Sequence, residues 1–111
     1  MSWLKELEAI PSVQRAVLAG MDGLVIEEVG RGGLSAQVLA AEMATLARAM
    51  EGITGALGEE LRRFTLATSS HELLAVCFNG YCLGALIERS GERAVVGQTL
   101  TSLAMRLVDQ L

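Results

Sequence analysis

The sequence predicts an α+β fold of a single domain, with elements in the order αββαβββα and helices on both faces of an antiparallel sheet. Three observations carry this. Two dipeptides, Asp22-Gly23 and Asn79-Gly80, each lie between strand-like apolar runs, the pattern of a tight hairpin. Between the hairpins, Leu39, Met43, Leu46, Met50, Ile53 and Leu57 recur at alternating steps of four and three, a helical stripe with a seven-residue period. After the second hairpin, Val96, Leu100, Leu103, Leu107 and Leu111 mark the buried face of a last helix.

Taken in order, Ser2 is placed to cap a short helix carrying Trp3, Leu4 and Leu7 on one face. Pro11 cannot continue that helix, which ends near Ala9 or Ile10. Val13–Gly20 and Leu24–Val29 are the strands of the first hairpin, with Asp22-Gly23 as a two-residue turn. Gly30, Gly32 and Gly33 form a loop, and Ser35 caps a helix from Ala36 to about Leu57. Along that helix Ala40, Ala44 and Ala47 make a second lane of small side chains. Two buried faces are therefore expected, of which one sheet face accounts for one. Gly52, Gly55 and Gly58 weaken its C-terminal part, each by about 1 kcal/mol relative to Ala in a helix interior. Phe64–Thr68 reads as a strand, Ser69-Ser70-His71 as a turn and Glu72–Phe78 as the next strand. Asn79-Gly80 closes the second hairpin onto Tyr81–Glu88. Ser90-Gly91 breaks the pattern before the final helix, which starts near Arg93. With no internal repeat or low-complexity tract, residues 1–111 are expected to be one domain.

Composition narrows the function. A hydrophobic fraction of 51% excludes a disordered chain, and aromatics at 4% leave Leu, Val, Ala, Ile and Met to build the core. Nine basic residues against thirteen acidic ones give a net charge of −4 without a Lys/Arg cluster, so the electrostatic footprint of nucleic-acid binding is missing. The longest uncharged stretch, Leu73–Ile87, is cut by Asn79-Gly80 and is shorter than the roughly 20 residues of a membrane span. Lys5, Glu6 and Glu8 interrupt any signal-peptide core, so a cytoplasmic protein with reduced thiols is expected.

Few residues carry reactive chemistry. The one histidine, His71, lies in Ser-Ser-His-Glu, where a dyad with Ser69 or Ser70 competes poorly with a solvated turn. His71, Cys77 and Cys82 lack the paired spacing of a metal site. No catalytic, cofactor-binding or metal-binding residue is assigned. The Asn79-Gly80 turn sets Cys77 directly across from Cys82, with Cβ atoms roughly 4.5–5.5 Å apart. Small apolar packing is the favoured role of this pair and a redox couple the alternative. Gly30-Arg31-Gly32-Gly33 precedes a helix but lacks the spacing of a phosphate-binding loop, and is read as a flexible connection.

Leu4-x-x-Leu7-x-x-Ile10-Pro11-x-Val13 followed by Ala16-Val17-Leu18-x-x-Met21-Asp22-Gly23-Leu24-Val25-Ile26 resembles the roadblock / dynein light chain family. The long Ala/Leu/Met helix, the strand after Gly58-Glu59-Glu60-Leu61, the second hairpin and the final helix follow in the same order. Ser12 departs from the pattern, which has Gly after the proline. The resemblance implies a five-stranded antiparallel sheet with the long helix on one face and the terminal helices on the other. It also implies homodimers in which third strands meet edge to edge and long helices pack together. Roles in the family are non-catalytic, as partners and regulators of Ras-like small GTPases, scaffolds or adaptors.

The expected function is therefore a homodimeric interaction module that binds and regulates a Ras-like small GTPase. Its dimer seam would be Leu39, Met43, Leu46, Met50 and Ile53, with Arg48 and Glu51 as exposed positions that touch the partner. The alternatives are a small-ligand sensor, which needs an apolar pocket beneath the helices, a thiol redox switch, and a signalling adaptor without a GTPase partner.

Overall fold

In the computed structural model, which describes residues 3–89 and 92–111, the chain begins with α1 (Lys5–Glu8), β1 (Val13–Gly20) and β2 (Val25–Gly30). It continues through α2 (Ala36–Ala49), α3 (Glu51–Leu57), β3 (Arg63–Ala67), β4 (His71–Phe78), β5 (Tyr81–Glu88) and α4 (Arg93–Leu107). The strands make one antiparallel sheet in the order β2-β1-β5-β4-β3, so β2 and β3 are its edges. The αββαβββα order is as predicted, with the middle helix divided in two. Ser2 and Ser90-Gly91, read as a cap and a break, lie outside the described residues. At the start of α1 the Leu4 amide donates to Glu27 Oε2 at 2.7 Å.

Alternation along the strands builds two cores on opposite faces of the sheet. Ala16 and Leu18 of β1 and Leu83, Ala85 and Ile87 of β5 pack with Leu4 and Leu7 and with Val96, Leu100, Leu103 and Leu107 of α4. On the other face, Val17, Ala19, Leu73, Ala75 and Cys82 pack with Ala36, Leu39, Ala40 and Met43 of α2. The long helix thus lies on one face and the terminal helices on the other. Among the described residues no helix is long and apolar enough to cross a membrane.

Both turns are hairpins, of different kinds. Asn79 (φ 47°) and Gly80 (φ 80°) form the two-residue turn expected of them, and Phe78 pairs with Tyr81. The first turn is longer than predicted. Gly20 and Leu24 flank a three-residue loop in which Gly20 O accepts the Gly23 amide, and of Asp22 and Gly23 only the glycine takes a positive φ, 86°. Asp22 Oδ1 accepts the Leu24 amide at 3.1 Å, the local side-chain bond that lets Asp hold a turn without leaving the usual φ region.

The predicted single helix from Ala36 to Leu57 is broken at Met50, which ends α2 and begins α3. Ser35 Oγ caps α2 by accepting the Val38 amide at 3.2 Å, as expected. Gly52 and Gly55 then make the following turns cheap to distort. Gly58, at φ 70°, closes α3 with two bonds, Gly58 N–H to Gly55 O and Glu59 N–H to Thr54 O.

Candidate functional site

The heptad stripe divides along its length. Leu39 and Met43 are 1% and 0% exposed and packed on the sheet beneath α2. Met43 fits there because Gly84 has no side chain: a Cβ at residue 84 would lie 2.7 Å from both Met43 Sδ and Cε. Leu46 and Met50 are half-buried. Ile53 and Leu57, on α3, are 63% and 64% exposed. This corrects the expected seam at its first two residues, whose side chains are used up by the chain's own core. The two-faced burial expected of this helix is corrected too. Ala40, Ala44 and Ala47 are buried together with Leu39 and Met43 in one wide stripe, a single face broad enough to hold both lanes.

What the sheet leaves open lies beside this stripe. The α2 helix sits over β1, β2 and β5, and β3 pairs only with β4. On β3, Phe64 is half-buried against the α2-side core and Leu66, on the same face, is 44% exposed. A short edge strand, the half-buried flank of α2 and the apolar side chains of α3 therefore form an uncovered surface. An edge strand of this kind presents unpaired backbone donors and acceptors to a further strand.

Arg48 and Glu51 are both exposed. Arg48 Nη1 donates to the Met21 carbonyl at 3.0 Å and Nη2 to Thr45 Oγ1 at 3.4 Å, which orients the guanidinium at the first hairpin. Glu51 borders a cleft of about 760 Å³ together with Glu59, Glu60, Arg62, Cys77 and Tyr81. The ligand-sensor alternative called for an apolar pocket beneath the helices, whereas this cleft is rimmed by charge.

Cys77 and Cys82 face each other as predicted, both free thiols, with Sγ atoms 3.8 Å apart. The hydrogen bond from Cys82 holds the Cys77 thiol below its ordinary value of 9.0, against the opposing effect of burial. The same bond, with burial and the charge on Cys77, pushes Cys82 up. His71, expected in the turn, is the half-buried first residue of β4, and its Nδ1 lies 3.1 Å from Ser70 Oγ. Among the described residues no three of His, Cys, Asp and Glu converge as metal ligands. The glycine loop before α2 uses its own donors, since the Arg31 and Gly32 amides both reach the Gln14 carbonyl at 3.1 Å.

One polar feature was not foreseen from the sequence. Glu72, 2% exposed, accepts Arg93 Nε at 3.0 Å and Nη2 at 2.7 Å on Oε1, tying β4 to the start of α4. Its position in a strand, next to a turn, carries no signal of burial.

These features define a class: a three-layer α+β domain that leaves one helix flank and one sheet edge uncovered. The chain belongs to the Roadblock/LC7 domain family, whose profile matches residues 2–86. The sequence matches no curated protein. Among solved structures it is similar to a Roadblock/LC7 domain from Streptomyces avermitilis, with 27% identity and a TM-score of 0.84, covering 99% of this chain and 96% of that one. The gliding protein MglB from Thermus thermophilus shares the fold at 17% identity and a TM-score of 0.85, over 96% and 84% of the two chains. An MglB solved in a tetrameric arrangement does so at 18% identity and 0.85, over 96% and 83%.

Proposed function

We propose that this chain is a non-catalytic, cytoplasmic homodimer that binds and regulates a Ras-like small GTPase. The observation that carries the reading is the uncovered surface of a Roadblock/LC7 domain, where Leu66 on an edge strand and Ile53 and Leu57 on α3 stand in solvent beside the half-buried Leu46 and Met50. A second copy, related by a two-fold axis, closes this surface with the same residues from both sides. Strand β3 pairs with its counterpart, and Leu46, Met50 and Ile53 meet across the axis. The MglB in a tetrameric arrangement supports assembly of this fold with itself.

Dimerisation places two copies of α2 next to each other, with Arg48 and Glu51 on the outer surface. Such a platform holds the switch loops of a GTPase in one nucleotide-dependent arrangement, using binding alone. Titration calorimetry against small GTPases from the same genome, each loaded with GDP and with a GTP analogue, tests this. Binding that differs between the two nucleotide states and weakens in Arg48→Glu, with the circular dichroism spectrum unchanged, is the expected result. Absence of binding in both states rejects the GTPase reading and leaves the adaptor.

A further inference from the structure

We propose that Cys77 and Cys82 form an oxidisable dithiol that reduces hydrogen peroxide and closes to an intramolecular cross-strand disulfide, with Cys77 as the attacking thiol. The register supplies the first reason. Cys77 and Cys82 are direct partners, one position beyond the Phe78–Tyr81 pair that closes the Asn79-Gly80 turn. The Cys77 amide points away from Cys82, donating to the Arg62 carbonyl at 2.8 Å, so the two cysteines occupy a non-hydrogen-bonded pair. Cα atoms of such pairs are about 4.5 Å apart, within the 4.4–6.8 Å span of disulfides. The sulfurs already lie 3.8 Å apart, so side-chain rotation suffices to join them.

Accessibility separates the roles. Cys77 is half-buried and lines the cleft of about 760 Å³ between α3, the loop at Glu59–Arg62 and the hairpin tip, whereas Cys82 is 1% exposed. A peroxide therefore reaches Cys77 first. The hydrogen bond from Cys82 stabilises the Cys77 thiolate, the form that reacts.

The chemistry balances in two steps. The Cys77 thiolate attacks one peroxide oxygen and breaks the O–O bond, giving the sulfenic acid and hydroxide, which takes up a proton to leave as water. The Cys82 sulfur then attacks the Cys77 sulfur, losing its proton while the sulfenic hydroxyl leaves as a second water. Two thiols are oxidised by two electrons and one peroxide is reduced to two waters.

The test treats the full chain with stoichiometric hydrogen peroxide and follows intact mass. A loss of two hydrogens, restored by dithiothreitol, with a peptide linking Cys77 to Cys82, is expected. In Cys82→Ala the sulfenic acid persists and dimedone adds to Cys77; in Cys77→Ala no dimedone adduct forms. An unchanged mass, oxygen addition without disulfide, or a disulfide between two chains in the unsubstituted protein overturns the proposal. Because that measurement needs no substitution, a variant that fails to fold does not rescue the idea. A dimedone adduct on Cys82 in Cys77→Ala overturns the assignment of the attacking thiol.

Discussion

Substitution of Met43 by Ala distinguishes the part of the helical stripe that builds the core from the part that does not. Met43 is completely buried, and its terminal atoms occupy the space over Gly84 where any other residue would place a Cβ. Truncation removes three heavy atoms, and the void faces a glycine with no side chain to swing into it. Buried Met→Ala changes cost about 2–5 kcal/mol, rising with residual cavity volume, and poor collapse over Gly84 puts this one at about 3–4 kcal/mol. With a urea m-value of about 1.5 kcal/mol/M for a domain of this size, the midpoint falls by about 2 M. Ile53→Ala, at a side chain 63% exposed, changes the stability of the isolated chain by less than about 0.5 kcal/mol. Urea denaturation followed by far-ultraviolet circular dichroism, at a concentration low enough for sedimentation to show a monomer, compares the two. Equal midpoints for Met43→Ala and the unsubstituted protein would refute the packing argument, since no fully buried methionine over a glycine can be removed without loss.

Two further substitutions probe the scaffold. Gly30→Ala puts a Cβ 2.3 Å from the Gln14 carbonyl oxygen and 2.8 Å from Arg15 Cα at a φ of 103°, so backbone must part and β2 separates from β1. Differential scanning calorimetry is expected to show a loss of about 3 kcal/mol, more than ~10 °C in melting temperature, and a shift under ~3 °C would contradict it. Arg93→Ala leaves the Glu72 carboxylate buried without its guanidinium and is expected to lower stability by about 2 kcal/mol by urea titration, discounted because Arg93 itself is 60% exposed. Glu72→Gln with Arg93→Ala recovers part of that loss, and a double variant weaker than Arg93→Ala alone would show that the charge is not the cause.

Local chemistry is what made the fold legible. Asn79-Gly80 specified not only a hairpin but its register, down to Cys77 opposite Cys82, because a two-residue turn with two positive φ angles has one way to pair its strands. Asp22-Gly23 marked a hairpin equally well yet not its loop length, since Asp22 uses its side chain to stabilise a longer turn in which only Gly23 has a positive φ. The helix stripe showed its period and hid its surroundings. Leu39 and Leu57 belong to the same seven-residue pattern, but the helix breaks at Met50 and α3 buries none of its residues, so the first is core and the last is surface. The lane of Ala40, Ala44 and Ala47 suggested a second face for the same reason: periodicity gives the angle around a helix, and a flat sheet covers a wider angle than two narrow lanes imply. The stripe was thus legible as apolar spacing, while its division between core and exposed surface depended on which residues of α2 and α3 the sheet covers.

Closure of the uncovered surface of α2, α3 and β3 by a second copy is the central claim. Sedimentation equilibrium of the unsubstituted chain at micromolar concentration measures this directly. A dimer mass is predicted, falling to a folded monomer in Met50→Glu combined with Ile53→Glu, because carboxylates at these half-buried and exposed positions, neither packed into the two cores, repel across a two-fold axis. A folded monomer for the unsubstituted chain, or a dimer that survives both glutamates, would contradict it.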